Sequence, residues 1–266
     1  MLHFCLDFKI FSSIIKGAMD DLEVNLQEPS VSFVRLQYLS DLNLESKPSK
    51  FKRLLKPNGE ILILAGNIGR PGMRIYDQFL HWCTKRFPYV ILVPGNMEYY
   101  QNTLGNANNK LQRLCKKYGI YLLDKDLLEI PEWNLVIIGS TLWPKIPEEE
   151  MFEALKYNKD FREIWGFSLS IEEELHLKGK KWLESQIKFY RIKNPEYAIV
   201  VVTHHQPFEC SSIMKGVSAW IHGHEGSFKF SQYGKTLITS NKRGSQKFSK
   251  EENLTFRDKV IMEKDK

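Results

Sequence analysis

Apolar residues in this chain gather into short runs, each broken by a polar or glycine turn. "FVRLQYLSDLN" is the first, followed by "EILILAGNIG", "YVILVPGNME", "NLVIIGSTLW", "YAIVVVTHHQP" and "SAWIHGHEG". Two shorter runs, "GSFKF" and "KTLITSN", come later. Such runs, rich in β-branched residues, predict strands. Several are apolar throughout instead of alternating, as in strands covered on both faces. Between them the period lengthens. "MRIYDQFLHWCTKRF" sets Ile75, Phe79, Trp82 and Phe87 at helical spacing. "ANNKLQRLCKKYG" puts Leu111, Leu114 and Cys115 on one face and stops at a glycine. "SIEEELHLKGKKWLESQIKFYRIK" predicts a long helix, with Ser170 as N-cap, Glu173 completing a capping box, and Gly179 as a weak point.

This order predicts an α/β domain with mixed sheets over residues 31–266, preceded by an extension over residues 1–30 that could form an amphipathic helix. Residues 143–170, with Trp143, Pro144, Pro147, Trp165 and Gly166, form a long excursion expected to wall one side of a site. The tail after Gly244 is polar until "LTFRDKVIM".

Composition narrows the class. A hydrophobic content of 42% and a charged content of 26% are those of a globular soluble protein. The net charge of +6 is mild, with a basic tail from Lys235 onward. Solubility is the plain reading of that excess, and attraction of phosphate or nucleic acid the alternative. Cys5, Cys83, Cys115 and Cys210 form no CxxC pair, which is cytosolic usage, so a cytoplasmic protein is expected. The apolar start "FCLDFKIFSSII" carries Asp7 and Lys9 and is too short and too charged to span a bilayer.

Five strand ends collect groups of metal-ligand type: Asp41 and Asn43; Asn67; Asn96 and Glu98; His204 and His205; His222 and His224. Each alone is ordinary turn or surface chemistry. Together, carboxylate, amide and imidazole groups converging from several strands describe a dinuclear metal centre.

The ordered set "SDLNLE", "AGNIG", "PGNMEYY", "VVTHHQP" and "HGHEGSF" resembles the motifs of the calcineurin-like metallophosphoesterases, with further likeness in "GSTLWP", "NKDFREI" and "TSNKRG". The resemblance implies a four-layer α-β-β-α sandwich of two mixed sheets flanked by helices, with the site at the strand ends on one edge. It also implies ligand roles. The first metal would take Asp41, but Asn43 stands at a histidine position, Asn67 at the bridging aspartate and Gly226 at the last histidine. The second metal would keep Asn96, His204 and His224. Met97 stands where the family has a histidine that acts on the phosphoryl group. A thioether has no proton to give. Glu98 and His205 are expected to orient ligands, with His222 beside them. His222 and Glu225 as substitute ligands are disfavoured.

Two divalent ions 4 Å apart repel by roughly 17 kcal/mol at an effective dielectric of about 20. A bridging carboxylate offsets much of this, and the neutral amide of Asn67 does not. The expectation is therefore a vacant site or one weakly held divalent ion (Mn, Zn or Fe), with no dinuclear centre. The leading reading is a catalytically impaired or inactive pseudoenzyme that acts by binding a phosphorylated ligand or a protein at the old cleft. A single-metal phosphoesterase hydrolysing mono- or diesters is the second reading, and a nucleic-acid or protein interaction module the third.

Overall fold

A computed structural model of the chain describes residues 33–46, 53–207, 213–224, 230–243, 253–257 and 260–262. The expected N-terminal extension lies outside these residues, as do Cys5, Cys210, Glu225 and Gly226.

Two six-stranded mixed sheets carry the fold. The first contains β1 (Val34–Leu39), β2 (Ile61–Ala65), β3 (Tyr89–Val93), β4 (Tyr121–Leu122), β11 (Asn253–Arg257) and β12 (Val260–Met262), in the order β12-β11-β1-β2-β3-β4. The second contains β5 (Asp126–Ile130), β6 (Leu135–Ser140), β7 (Ala198–Thr203), β8 (Ala219–His222), β9 (Phe230–Tyr233) and β10 (Thr236–Ser240), in the order β5-β6-β7-β8-β10-β9. β1 to β4 run parallel, and so do β6, β7, β8 and β10.

The period-2 geometry of strands splits each apolar run between two cores. In β2, Ile61, Ile63 and Ala65 face the other sheet, where they meet Ile137 of β6, Val200 and Val202 of β7 and Ile221 of β8. Leu62 and Leu64 face outward onto α1 (Arg74–Thr84) and α2 (Leu104–Tyr118), against Tyr76, Phe79 and Leu111. On the far side, Val136, Ile138, Val201 and Trp220 pack against Leu183, Ile187 and Tyr190 of α5 (Leu169–Lys193). Both faces of each sheet are covered, so the strands read as unbroken apolar runs.

α1 ends at Thr84, so Phe87 packs into the same core from beyond the helix. α2 stops at a left-handed Gly119, as its sequence suggests, and Thr103 caps its start by accepting from the Asn106 N–H. Cys83 and Cys115 are both buried. α5 begins two residues earlier than expected: Ser168 is the N-cap, accepting from the Ile171 N–H. This brings buried Glu172 into the first turn. The helix runs unbroken through Gly179, which lies on the buried stripe Glu172, His176, Gly179, Leu183, Ile187 and Tyr190. A β-carbon there would lie 3.4 Å from Ser140 Oγ. The 143–170 excursion contains α3 (Met151–Tyr157) and the single turn α4 (Asp160–Glu163).

Candidate metal centre at the strand ends

Because the core strands are parallel within each sheet, their carboxyl ends share an edge, and ligands gather at such edges. Asp41, Asn67 and Asn96 follow β1, β2 and β3 of one sheet. His204 and His224 follow β7 and β8 of the other. Asp41, Asn67 and His224 hold left-handed backbone, with φ of 55°, 53° and 55°. Asn, Asp and His are the non-glycine residues most often found in that region. Glycines let the two sheets close on this edge. A β-carbon on Gly66 would stand 2.3 Å from His204 Nδ1, and one on Gly95 would stand 2.4 Å from Asn67 Oδ1.

Glu98 organises the turn chemistry. It lies in the single 3-10 turn Asn96–Tyr99, fully enclosed. Its carboxylate accepts from four backbone N–H groups: Gly95 at 2.7 Å, Asn67 at 2.8 Å, Ile68 at 2.7 Å and Gly69 at 3.3 Å. Burial pushes its pKa up to about 7, against the downward pull of those donors. Glu98 thus clamps the β2 turn to the β3 turn.

Asp41 is buried and tied on both oxygens. Oδ2 accepts from Ser40 Oγ at 2.7 Å and from the His224 N–H at 2.9 Å, and Oδ1 accepts from Asn67 Nδ2 at 3.2 Å. Asn67 is committed at both ends, since its Oδ1 accepts from the Met97 N–H at 2.9 Å. An N–H can only donate and a carboxylate oxygen can only accept, so this amide has one orientation. Asn43 turns its Nδ2 back onto the Asp41 carbonyl at 3.2 Å and leaves its Oδ1 buried without a hydrogen-bond partner. The Met97 side chain packs against an aromatic cluster that includes Tyr99, Tyr100, Trp143 and Phe167.

The other half of the edge is different in kind. His204 Nδ1 faces the Ala65 carbonyl at 2.9 Å, so that nitrogen carries the proton. Burial holds the His204 pKa well below the usual histidine range, with the His224 ring adding to the effect. The ring is neutral, and Nε2 presents a lone pair. Facing that lone pair at 3.2 Å is Asn96 Oδ1, another acceptor. His224 Nδ1 lies 3.2 Å from the same Nε2. Donor atoms about 2.0–2.1 Å from a divalent ion lie roughly 3.0–3.4 Å from one another, so these spacings suit the edges of a coordination shell.

His205 is buried beside them. Ring nitrogens of His204, His205 and His224 all lie within 4.8 Å of one another, and His205 Nδ1 has no hydrogen-bond partner. Burial lowers the His205 pKa well below normal. His222 is buried too, with Nδ1 on the Gly223 carbonyl at 3.0 Å. Asp41, Asn43, Asn67, Asn96, Met97, Glu98, His204, His205, His222 and His224 therefore all lie along this edge, while Gly226 and Glu225 fall outside the described residues.

Sequence reasoning gave no role to Asp160 and Tyr100. Asp160 of α4 is buried and accepts from Asn96 Nδ2 at 2.7 Å and from Tyr100 Oη at 2.7 Å. Nothing short of the fold brings Asp160 to Asn96, 64 residues away. Glu172, buried on α5 near Asp160, has neither oxygen hydrogen-bonded, and burial with the Asp160 charge pushes its pKa up to about 8. No helix among the described residues is long and apolar enough to cross a membrane.

Comparison with known proteins agrees with this arrangement. The uncharacterized protein L509 of Acanthamoeba polyphaga mimivirus is 26% identical over 203 residues, which cover 69% of this chain and 72% of that one. Phosphopantetheinyl hydrolase (PptH) of Mycobacterium tuberculosis superposes with a TM-score of 0.59 at 18% identity, over 79% of this chain and 89% of that chain. TT1561 of Thermus thermophilus superposes with a TM-score of 0.50 at 13% identity, over 79% of this chain and 90% of that chain. At these identities the structural likeness speaks for the fold alone. The sequence model described as calcineurin-like phosphoesterase matches residues 39–228, a span holding every strand end of the site. With its two helix-flanked sheets and its polar turns gathered on one edge, the chain belongs to the calcineurin-like phosphoesterase family.

Proposed function

We propose that this protein is a phosphoester-binding member of its family that holds one divalent cation on Asn96, His204 and His224 and is impaired in hydrolysis. The observation that carries the reading is the contrast between two amides. Asn67 spends both ends on protein partners, Asp41 and the Met97 N–H. Asn96 points an unprotonated oxygen at an unprotonated ring nitrogen. Two lone pairs facing each other at 3.2 Å invite a cation. The donor set, two imidazoles and an amide oxygen, suits Zn, Fe or Mn. It does not suit a pair of ions, because no carboxylate occupies the bridging position and Asp41 already accepts three hydrogen bonds. When bound, such an ion supplies Lewis acidity toward a phosphoryl oxygen.

The chain's own residues bind without completing the chemistry. Met97 offers no proton to a leaving group. The buried neutral histidines His204 and His205 are poor proton donors at neutral pH, because burial lowers both pKa values. The cleft edge thus retains recognition of an anionic ester and loses general acid assistance.

The test is an assay of the purified chain on aryl phosphate mono- and diesters with Mn or Zn. The unmodified protein is expected to show no turnover above its Asp41→Ala variant. Combining Asn43→His, Asn67→Asp, Met97→His and Gly226→His should produce metal-dependent turnover. Turnover by the unmodified chain that Asp41→Ala abolishes would overturn the impaired reading and support hydrolysis at a rearranged site.

A further inference from the structure

Within its own turn the Asn96 amide makes only a long contact, Nδ2 to Tyr100 Oη at 3.4 Å, and a hydroxyl can donate or accept, so that contact fits either direction of the amide. Reversing it would place Nδ2 against His204 Nε2, where an N–H could donate to the ring nitrogen across the same 3.2 Å. That arrangement satisfies both groups and closes the seat to a cation. What opposes it is Asp160. In the reversed state, amide oxygen and carboxylate oxygen would meet at 2.7 Å, acceptor against acceptor. Asp160 Oδ1 also accepts from Tyr100 Oη at 2.7 Å. Its own N–H is held by Asn158 Oδ1 at 2.9 Å.

The segment that carries Asp160 is pinned to the turn it controls. The Gln101 N–H donates to the Glu163 carbonyl at 2.7 Å, and the Trp165 N–H donates to the Asn102 carbonyl at 2.9 Å. These bonds tie the residues that directly follow Tyr100 to the end of α4 and the residues just beyond it. The carboxylate is 3% exposed, so solvent cannot take over its role. It also brings a negative charge to one remove from a ligand set that has lost the charge of an aspartate at Asn67. A carboxylate behind a ligand fixes the ligand's orientation and raises its basicity.

We propose that Asp160 is the positioning residue of the cation seat: it holds Asn96 with its oxygen toward His204, so that the excursion between β6 and α5 sets cation affinity. This rests on the single-cation reading above.

The experiment measures Zn2+ and Mn2+ affinity of the full chain by chelator competition, alongside the melting temperature without metal. Asp160→Leu is expected to weaken affinity by about 10–100-fold. Asp160→Asn keeps an acceptor oxygen for Asn96 Nδ2 and is expected to stay within about five-fold of the unmodified chain, a rescue that a purely structural role would not give. In an Asn96→Ala background, Asp160→Leu should cost nothing further, since its effect passes through Asn96. Where Asp160→Leu fails to fold, Asp160→Ser, too short to reach the amide, carries the same expectation. Unchanged affinity in Asp160→Leu or Asp160→Ser, or an equal loss in the Asn96→Ala background, overturns this inference alone. An unmodified chain that binds neither ion overturns the single-cation reading and this inference with it.

Discussion

Asn67 shows how much one atom changes. Its Nδ2 donates to Asp41, which an aspartate at this position could not do. Asn67→Asp would set two carboxylates about as close as that hydrogen bond without a proton between them. The variant is expected to lose about 1–3 kcal/mol of stability in chelator at neutral pH. Mn2+ should restore it, because a cation between the carboxylates replaces the lost donor. Thermal melts with and without Mn2+ check this, and equal melts in the two conditions would contradict it. Glu172 gives a second residue-scale prediction, with its sign fixed by linkage. Burial raises its pKa in the folded state to about 8. Between the unfolded value and that value the native state holds the extra proton, so stability falls as pH rises through this window. Glu172→Met removes the burden. Its stabilisation should grow from pH 5 to pH 8 by about 3 kcal/mol and level off above, as read from denaturant melts.

At the scale of elements, α5 explains both a success and a miss in the sequence reading. Its length is legible in the long charged run, but its buried stripe is not apolar throughout. Glu172, His176 and Gly179 occupy stripe positions usually given to Leu or Ile. That pattern blurs the helical period and moves the apparent start to Ser170, whereas Ser168 makes the cap. Gly179 looks like a break because helix propensity penalises it, yet packing against β6 overrides propensity. Gly179→Ala should be tolerated and gain up to about 1 kcal/mol, since the added carbon meets Ser140 Oγ at 3.4 Å. Gly66→Ala should behave in the opposite way. Its φ of 80° and the 2.3 Å approach to His204 Nδ1 leave no room for a β-carbon. That variant is expected to destabilise the fold and weaken cation binding together. β4 and β5 carry little strand signal in the sequence for a simpler reason: one has two residues, and the other is a half-exposed edge strand with Asp126 and Glu129 in a run of five.

For the whole molecule, the sandwich is readable because parallel strands between covered faces leave long apolar runs, and their polar ends announce an edge. The site is only partly readable. Asn96 and His204 are visible as motif positions, but their facing lone pairs depend on the Ala65 carbonyl and on Asp160, which only the folded chain brings near. Asn67 and Met97 are visible as departures, but their mutual hydrogen bond exists only once the β2 and β3 turns meet. On the proposed reading, the edge draws one cation seat from both sheets, while Asp41 and Asn67 at the other seat are committed to hydrogen bonds within the protein. The most direct measurement of that claim is the metal stoichiometry of the purified chain after loading with Mn or Zn and removal of free ion. The account predicts one ion per chain, lost in His204→Ala, held more weakly in Asn96→Ala and unaffected by Asn43→Ala. Two ions per chain in the unmodified protein would contradict it.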